Sequence, residues 1–246
     1  YAAFASQHAA GKRILIVDTL VDADLRTIGA ACADLPLVTG GSGIGLGLAA
    51  NFITAGKAAR RGVAARMQAP AGRAVVLAGS CSVATRGQIA AAQAAGLPTL
   101  ALDVAALADG CQSAADVAAW ATRQAADTPP VIYSSADPAT LQVIQHDLGQ
   151  HQSGALVESA LAEVARRLRD AGFTRFVIAG GETSGAVVAA LGVTMLEIGP
   201  EIDPGVPWTR SIGRPALALA LKSGNFGTAD FFLKAWSLLA SEPENV

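Results

Sequence analysis

The sequence predicts an α/β protein: a mostly parallel sheet with helices on both faces, preceded by a smaller α/β segment that reads as the remnant of a second domain. Three observations lead there. From residue 74 onward, short apolar and β-branched runs alternate with stretches of helical periodicity, the pattern of strand–crossover–strand units. Several of the apolar runs end in glycine and serine and open directly into a helix. Finally, 246 residues of which 52% are hydrophobic can bury one large core or two modest ones.

Composition removes several function classes. Lys and Arg total 18 against 20 Asp and Glu, with no basic block and few aromatics, so no nucleic-acid surface is expected. The cysteines Cys32, Cys81 and Cys111 contain no C-x-x-C pair, which argues against a disulfide framework or zinc site and for a reducing, cytoplasmic setting. No signal-peptide pattern opens the chain. The uncharged stretch between Asp34 and Lys57 is long enough to span a bilayer, but Pro36 and five glycines up to Gly47 punctuate it, so no membrane association is expected. His8, His146 and His151 share no ligand spacing, and no metal cluster is assigned.

In chain order, a helical end feeds a strand at Ile14–Val17. A helix follows over Asp22–Ala33, capped by Asp22 or Thr19, then a strand at Leu37–Thr39 and a helix over Ile44–Ile53. The pattern loosens at Arg60–Arg73, which reads as a linker between a segment 1–70 and a domain 71–246. Strands are then expected at Ala74–Ala78, Thr99–Leu102, Val131–Tyr133, Phe176–Ala179, Val193–Ile198 and Ala216–Leu221. Helices are expected over Val83–Ala95, Ser113–Ala125, Gly154–Gly172, Ala186–Leu191 and Thr228–Leu239, and a short helix or lid over Thr140–Leu148. The handedness of parallel crossovers puts the strand C-terminal ends, and their loops, on one edge of the sheet.

Those loops carry the candidate site. Phe176–Gly185, FVIAGGETSG, is a strand that breaks at Gly180-Gly181, with Thr183 and Ser184 as N-cap hydroxyls for the helix that follows. Unpaired backbone N–H groups and the positive end of a helix dipole suit a phosphate or carboxylate there, although such junctions also serve as plain connections. TGGSG after Val38 and GSCS after Ala78 have the same shape. Lys222-Ser223-Gly224-Asn225-Phe226-Gly227 places a mobile cation beside backbone amides, which suits a phosphate chain. Neither G-x-x-x-x-G-K-[ST] nor G-x-G-x-x-G in register occurs, and the loops by themselves leave the ligand open.

Four motifs in order, GSCS-x-x-T (Ser80 to Thr85), GGETSGAVVAALGV, IGPEIDPGVPW and LALKSGNFGTADFF, resemble the four-carbon acid sugar kinase family, whose members include 3-oxo-tetronate, threonate and erythronate kinases. The resemblance covers about two thirds of the chain as a nucleotide-binding domain, and LPLVTGGSG looks like the end of a sugar-acid-binding domain. It implies ATP- and Mg²⁺-dependent phosphorylation of the terminal hydroxyl of a four-carbon sugar acid. The nucleotide-binding candidates are Ser80, Ser82, Gly180, Gly181, Glu182, Thr183, Ser184, Gly185, Lys222, Gly224, Asn225 and Gly227, with Glu182 also placed to hold the metal through water. Gly41, Ser42 and Gly43 are the candidates for the sugar acid's carboxylate.

One departure bears on catalysis. The family's substrate domain begins with a D-D-x-T-G-type motif, and this sequence has none, so the main base is expected in a missing N-terminal part. Asp203 is the fallback base within the chain, with a turn-capping role before Pro204-Gly205 as the plainer alternative. The expected partners are a small sugar acid, the missing substrate domain and a second copy in a homodimer. Two other classes stay open: a non-catalytic nucleotide- or sugar-binding subunit, and a nicotinamide-dependent oxidoreductase. The latter lacks an acidic residue at ribose distance from a glycine fingerprint. Cys81 and Trp208 read most simply as packing residues.

Overall fold

The computed structural model describes residues 2–59, 67–134 and 150–241. The chain divides into two units, residues 1–62 and 63–246. The second holds a seven-stranded sheet of order β3-β4-β2-β5-β8-β7-β6. Its strands are β2 (Arg73–Ala78), β3 (Thr99–Ala101), β4 (Val131–Tyr133), β5 (Phe173–Ala179), β6 (Leu196–Asp203), β7 (Val206–Ser211) and β8 (Ala218–Lys222). The ladder is parallel from β3 through β8 and antiparallel at β8–β7 and β7–β6. The helices of this unit are α4 (Val83–Ala94), α5 (Val104–Ala108), α6 (Ala114–Thr122), α7 (Gln150–Asp170), α8 (Gly181–Ala190) and α9 (Phe231–Lys234).

Strand alternation explains why both faces are covered. Along β2, Val75 and Leu77 point into one core with Phe176 and Ile178 of β5, closed by α5, α6, α7 and α8. Val76 and Ala78 point into the other core with Val177 and Ala179, closed by Ile89 and Ala92 of α4 and by Phe231 and Phe232. A strand buried on both faces has no polar alternation to show, which is why these segments read as continuous apolar runs.

The first unit comprises α1 (Ala2–Ala9), α2 (Asp22–Ala31) and α3 (Ile44–Thr54). Helices α2 and α3 touch at glycines: a Cβ on Gly29 would collide with the Gly47 backbone, and one on Gly47 with the Leu25 carbonyl. Asn51 Nδ2 donates to Gly29 O at 2.7 Å across the same contact. The N-cap of α2 is Val21 rather than Asp22 or Thr19, and Asp24 accepts from the amides of Leu20 and Val21.

Several expectations change. Ile14–Val17 and Leu37–Thr39 form no strand among the described residues, and Ile14 is 86% and Ile16 93% exposed. A strand needs a hydrogen-bonded neighbour, and this unit offers none to them. Helix α8 begins at Gly181 rather than Ala186, so Gly181 and Gly185 lie within it. The stretch read as a loop after Ile198 is the β6–β7 hairpin, turning at Pro204-Gly205 with Gly205 at φ +80°. The expected linker contributes β1 (Met67–Ala69), which pairs in parallel with β9 (Leu239–Ser241). The last helix is one short α turn, Phe231–Lys234, followed by a 3₁₀ turn, Ala235–Leu238. Thr140–Leu148 lies outside the described residues.

Candidate nucleotide site

Three of the glycine loops follow β2, β5 and β8, which are adjacent and parallel, so topology alone brings them together. Backbone hydrogen bonds join their roots: Gly79 N and Ser80 N donate to Ala179 O at 3.0 and 3.2 Å, and Gly180 N donates to Lys222 O at 2.8 Å. The loops then close on one another. A Cβ on Gly79 would run into Thr183 Oγ1, and one on Gly224 into Ser80 Oγ. A Cβ on Gly180 would stand 2.7 Å from Thr183 Oγ1, and Gly180 has φ +132°, a conformation that side chains oppose.

Ser82 is the N-cap of α4, accepting from Thr85 N at 3.2 Å, while its hydroxyl donates to Gly224 O at 2.6 Å. The first loop thereby caps its own helix and grips the third loop with one side chain. Gly180, not Thr183 or Ser184, is the N-cap of α8. Thr183 and Ser184 are buried in the first turn, Thr183 filling the space beneath Gly79 and Gly180. Gly181, Glu182 and Gly185 are exposed on this helix. At the third loop, the amides of Gly224, Asn225 and Gly227 have no hydrogen-bond partner among the described residues.

Lys222 is not the mobile cation that its place in the sequence suggests. It is fully buried at the end of a central strand, and Nζ donates to Thr85 Oγ1 at 3.0 Å, Ser223 O at 3.2 Å and Gly224 O at 2.8 Å. Burial pushes its ammonium down to about 8. Asp203 is likewise engaged: Oδ2 accepts from Thr228 N at 2.8 Å and Thr228 Oγ1 at 3.1 Å, and Oδ1 from Lys234 Nζ at 2.6 Å. It closes the β6–β7 turn onto the end of the third loop, with three hydrogen bonds holding the carboxylate in place.

Two residues absent from the sequence reading join the site. Gln88 is fully buried on α4, with Nε2 3.0 to 3.1 Å from the carbonyls of Phe226, Gly227 and Thr228. The glycine after Phe226 is the only local hint of a loop needing such support. Glu158 of α7 has its carboxyl held above the usual range, by burial first and by the charge of Glu182 second. Among the described residues, no group of three or more His, Cys, Asp or Glu gathers as a metal cluster.

Gly41, Ser42 and Gly43 lie in the first unit, where their carbonyls accept from the amides of Ile44, Gly45 and Leu46 at the start of α3. Gly41 and Gly43 line a cavity of about 760 Å³ within that unit, whose walls include Phe4, Leu25, Lys12 and Arg13.

A family model described as the nucleotide-binding C-terminal domain matches residues 75–232, a span that holds all three loops. The chain belongs to that family. It is 53% identical over 236 residues to a 3-oxo-tetronate kinase of Pseudomonas savastanoi pv. phaseolicola, covering 96% of this chain and 54% of the relative. A 3-oxo-tetronate kinase of Pseudomonas fluorescens is 54% identical over 230 residues, covering 94% and 53%. The chain therefore spans about half the length of the curated relatives it matches. Among solved structures, a Haemophilus influenzae protein superposes with a TM-score of 0.71 at 36% identity, over 96% of this chain and 56% of that one. A Bordetella bronchiseptica protein, a domain-swapped dimer with bound citrate, does so at 0.55 and 26%, over 95% and 55%. The resemblance to the four-carbon acid sugar kinases thus extends beyond motifs to most of the chain. No helix among the described residues is long and apolar enough to cross a membrane.

Proposed function

We propose that this chain is the ATP-binding part of a kinase that phosphorylates the terminal hydroxyl of a four-carbon sugar acid of the 3-oxo-tetronate type. One observation carries the reading. Three glycine loops at the ends of adjacent parallel strands converge, and the third exposes amides of Gly224, Asn225 and Gly227 that no described protein atom uses. Phosphoryl transfer asks chiefly for positioned donors around spread negative charge, and these amides, with the α8 N-terminus at Gly181, supply them. The close approach of Gly224 to Ser80 and the positive φ of Gly180 fit backbone, rather than side chains, meeting the nucleotide.

Bound Mg²⁺ would neutralise charge between the phosphates, and Glu182 and Glu158, whose like charges oppose each other, are the carboxylates suited to it. Asp203 is engaged by Thr228 and Lys234 in a structural clasp, which favours placing the group that accepts the hydroxyl proton with the D-D-x-T-G-type motif of the family. Residues 1–62 fit the tail of the sugar-acid-binding domain, with Gly41, Ser42 and Gly43 near Lys12 and Arg13 as the carboxylate site. A cytoplasmic homodimer belongs to the same proposal.

A thermal-shift titration with ADP and ATP, with and without Mg²⁺ and with NAD in parallel, tests it. Stabilisation by the adenine nucleotides but not by NAD supports the kinase; a response to NAD alone overturns it.

A further inference from the structure

The third loop has an unusual distribution of partners. Five of its carbonyls, those of Ser223, Gly224, Phe226, Gly227 and Thr228, are held by buried side chains. Lys222 Nζ takes the first two, and Gly224 O also lies 2.6 Å from Ser82 Oγ and 3.0 Å from Thr85 Oγ1. Gln88 Nε2, with two N–H donors, is shared among the other three at 3.0 to 3.1 Å. In a trans peptide the C=O of one residue points opposite to the N–H of the next. Drawing the carbonyls of Ser223, Gly224 and Phe226 inward therefore turns outward the amides of Gly224, Asn225 and Gly227. These three lack a partner among the described residues, as does Ser223 N, which follows the Lys222 carbonyl held by Gly180 N.

We propose that Lys222 and Gln88 are positioning residues of the nucleotide site, holding the carbonyls of Ser223, Gly224, Phe226, Gly227 and Thr228 so that the amides of Gly224, Asn225 and Gly227 face the phosphates. The inference rests on the nucleotide-binding reading above and gives Lys222 a different part in it, bracing the loop from behind instead of touching phosphate. The orientation of the Gln88 amide follows from the carbonyls, since the opposite rotamer would aim Oε1 at all three; Oε1 is left buried without a partner. Lys222 has no carboxylate partner among the described residues either, and burial alone accounts for its lowered pKa.

Its protonation should then be linked to ligand binding. An ammonium has three donors for Thr85, Ser223 and Gly224, whereas a neutral amine has two. A bound anion also favours the charged form, so nucleotide affinity should fall as pH rises past about 8. Fold stability should move the other way. A lysine held below its unfolded value of 10.5 disfavours the native state at lower pH, and that cost is relieved between about 8 and 10.5. The charged or titratable groups on the surrounding elements include Cys81 on the first loop, Arg86 on α4, Arg175 on β5, Glu182 on α8, Arg210 on β7, and Asp203, Asp230 and Lys234 beyond the third loop. Cys81, on the first loop itself, is replaced as the control.

The experiment measures ADP affinity by calorimetry from pH 7.5 to 9.5, with denaturant unfolding alongside, for the wild type, Lys222→Met, Gln88→Met and Cys81→Ala. The expected result is a wild-type affinity that falls roughly tenfold per pH unit at most, while stability does not fall. Lys222→Met and Gln88→Met should fold and bind ADP about tenfold or more weakly at pH 7.5, a loss of about 1.4 kcal/mol. The pH dependence should disappear in Lys222→Met and persist in Cys81→Ala. Wild-type affinity in Lys222→Met, or a pH dependence that follows Cys81, overturns the inference and leaves nucleotide binding standing. Failure of the wild type to bind ADP at any pH overturns both. If Lys222→Met does not fold, the wild-type profile and Gln88→Met decide, since a merely structural pair would not lower affinity while stability holds.

Discussion

Lys234 Nζ lies 2.6 Å from Asp203 Oδ1, bridging the α9 turn and the β6–β7 hairpin, and Thr228 completes the clasp on the other carboxylate oxygen. Burial pushes the Asp203 carboxyl up, but the hydrogen bonds from Lys234 and Thr228, with the Lys234 charge, outweigh it and hold it below the usual range. A lowered native value gives stability that is complete above the unfolded value of 3.8 and lost as pH falls through the native one. Asp203→Asn should therefore cost about 1–2 kcal/mol at pH 7, discounted because Lys234 is one-third exposed. Urea unfolding should show the wild type and variant converging below about pH 4.

The glycines of GGETSG should separate by environment. Gly180 sits at φ +132° against Thr183, so Gly180→Ala should lose about 1–3 kcal/mol. Gly185 is helical, a Cβ there would meet nothing within 4 Å, and Gly185→Ala should gain about 0.5–1 kcal/mol. Thermal unfolding of the two variants reads both signs.

Gly224→Ala would push a methyl against Ser80 and Ser82, splaying the first and third loops. It should cost about 1–3 kcal/mol and weaken ADP binding beyond detection by thermal shift. Gly181→Ala, with open space around it, should leave unfolding unchanged within about 0.5 kcal/mol. Its ADP titration then reports whether nucleotide occupies that space.

The Glu158–Glu182 pair bears on the metal. Glu182→Gln removes the charge that helps raise the Glu158 carboxyl. The extra stabilisation that Mg²⁺ adds to ADP should shrink in this variant, whereas stabilisation by ADP alone should hold or increase, because a negative charge near the phosphates is gone. An undiminished Mg²⁺ increment would move the metal elsewhere.

Arg73 fastens α6 to the sheet. It donates to the carbonyls of Ala121, Thr122 and Gln124 at 2.7 to 3.2 Å and lies 4.5 Å over the Phe173 ring. Arg73→Met should cost about 2–3 kcal/mol, and Arg73→Lys should recover less than half of it because an ammonium cannot reproduce the planar fork. Denaturant midpoints of both variants check the ratio.

Local chemistry determined much of this protein in advance. The apolar runs at Ala74–Ala78, Val131–Tyr133 and Phe176–Ala179 are strands because nothing polar interrupts them. Ser82 caps α4 because a hydroxyl before a helical run has an amide to accept from. The order of the loops GSCS, GGETSG and KSGNFG, each after a strand, sufficed to place them on one sheet edge.

What only the tertiary structure decided depends on partners distant in the chain. Ile14–Val17 has strand composition but finds no ladder partner among the described residues of its unit, and residues after Ile198 pair antiparallel because Val206–Ser211 folds back on them. Gly180, not Thr183, is the cap, and Thr183 lies within the helix's first turn, packed against Gly79 and Gly180. Lys222 is the clearest case. Its sequence neighbours, glycine and serine, suggest an exposed cation, but Thr85 lies 137 residues away, and only the pairing of β2, β5 and β8 puts that hydroxyl over the end of the strand. Local sequence sets what each residue can donate or accept; the order of strands in the sheet sets which of those groups meet, and whether water reaches them.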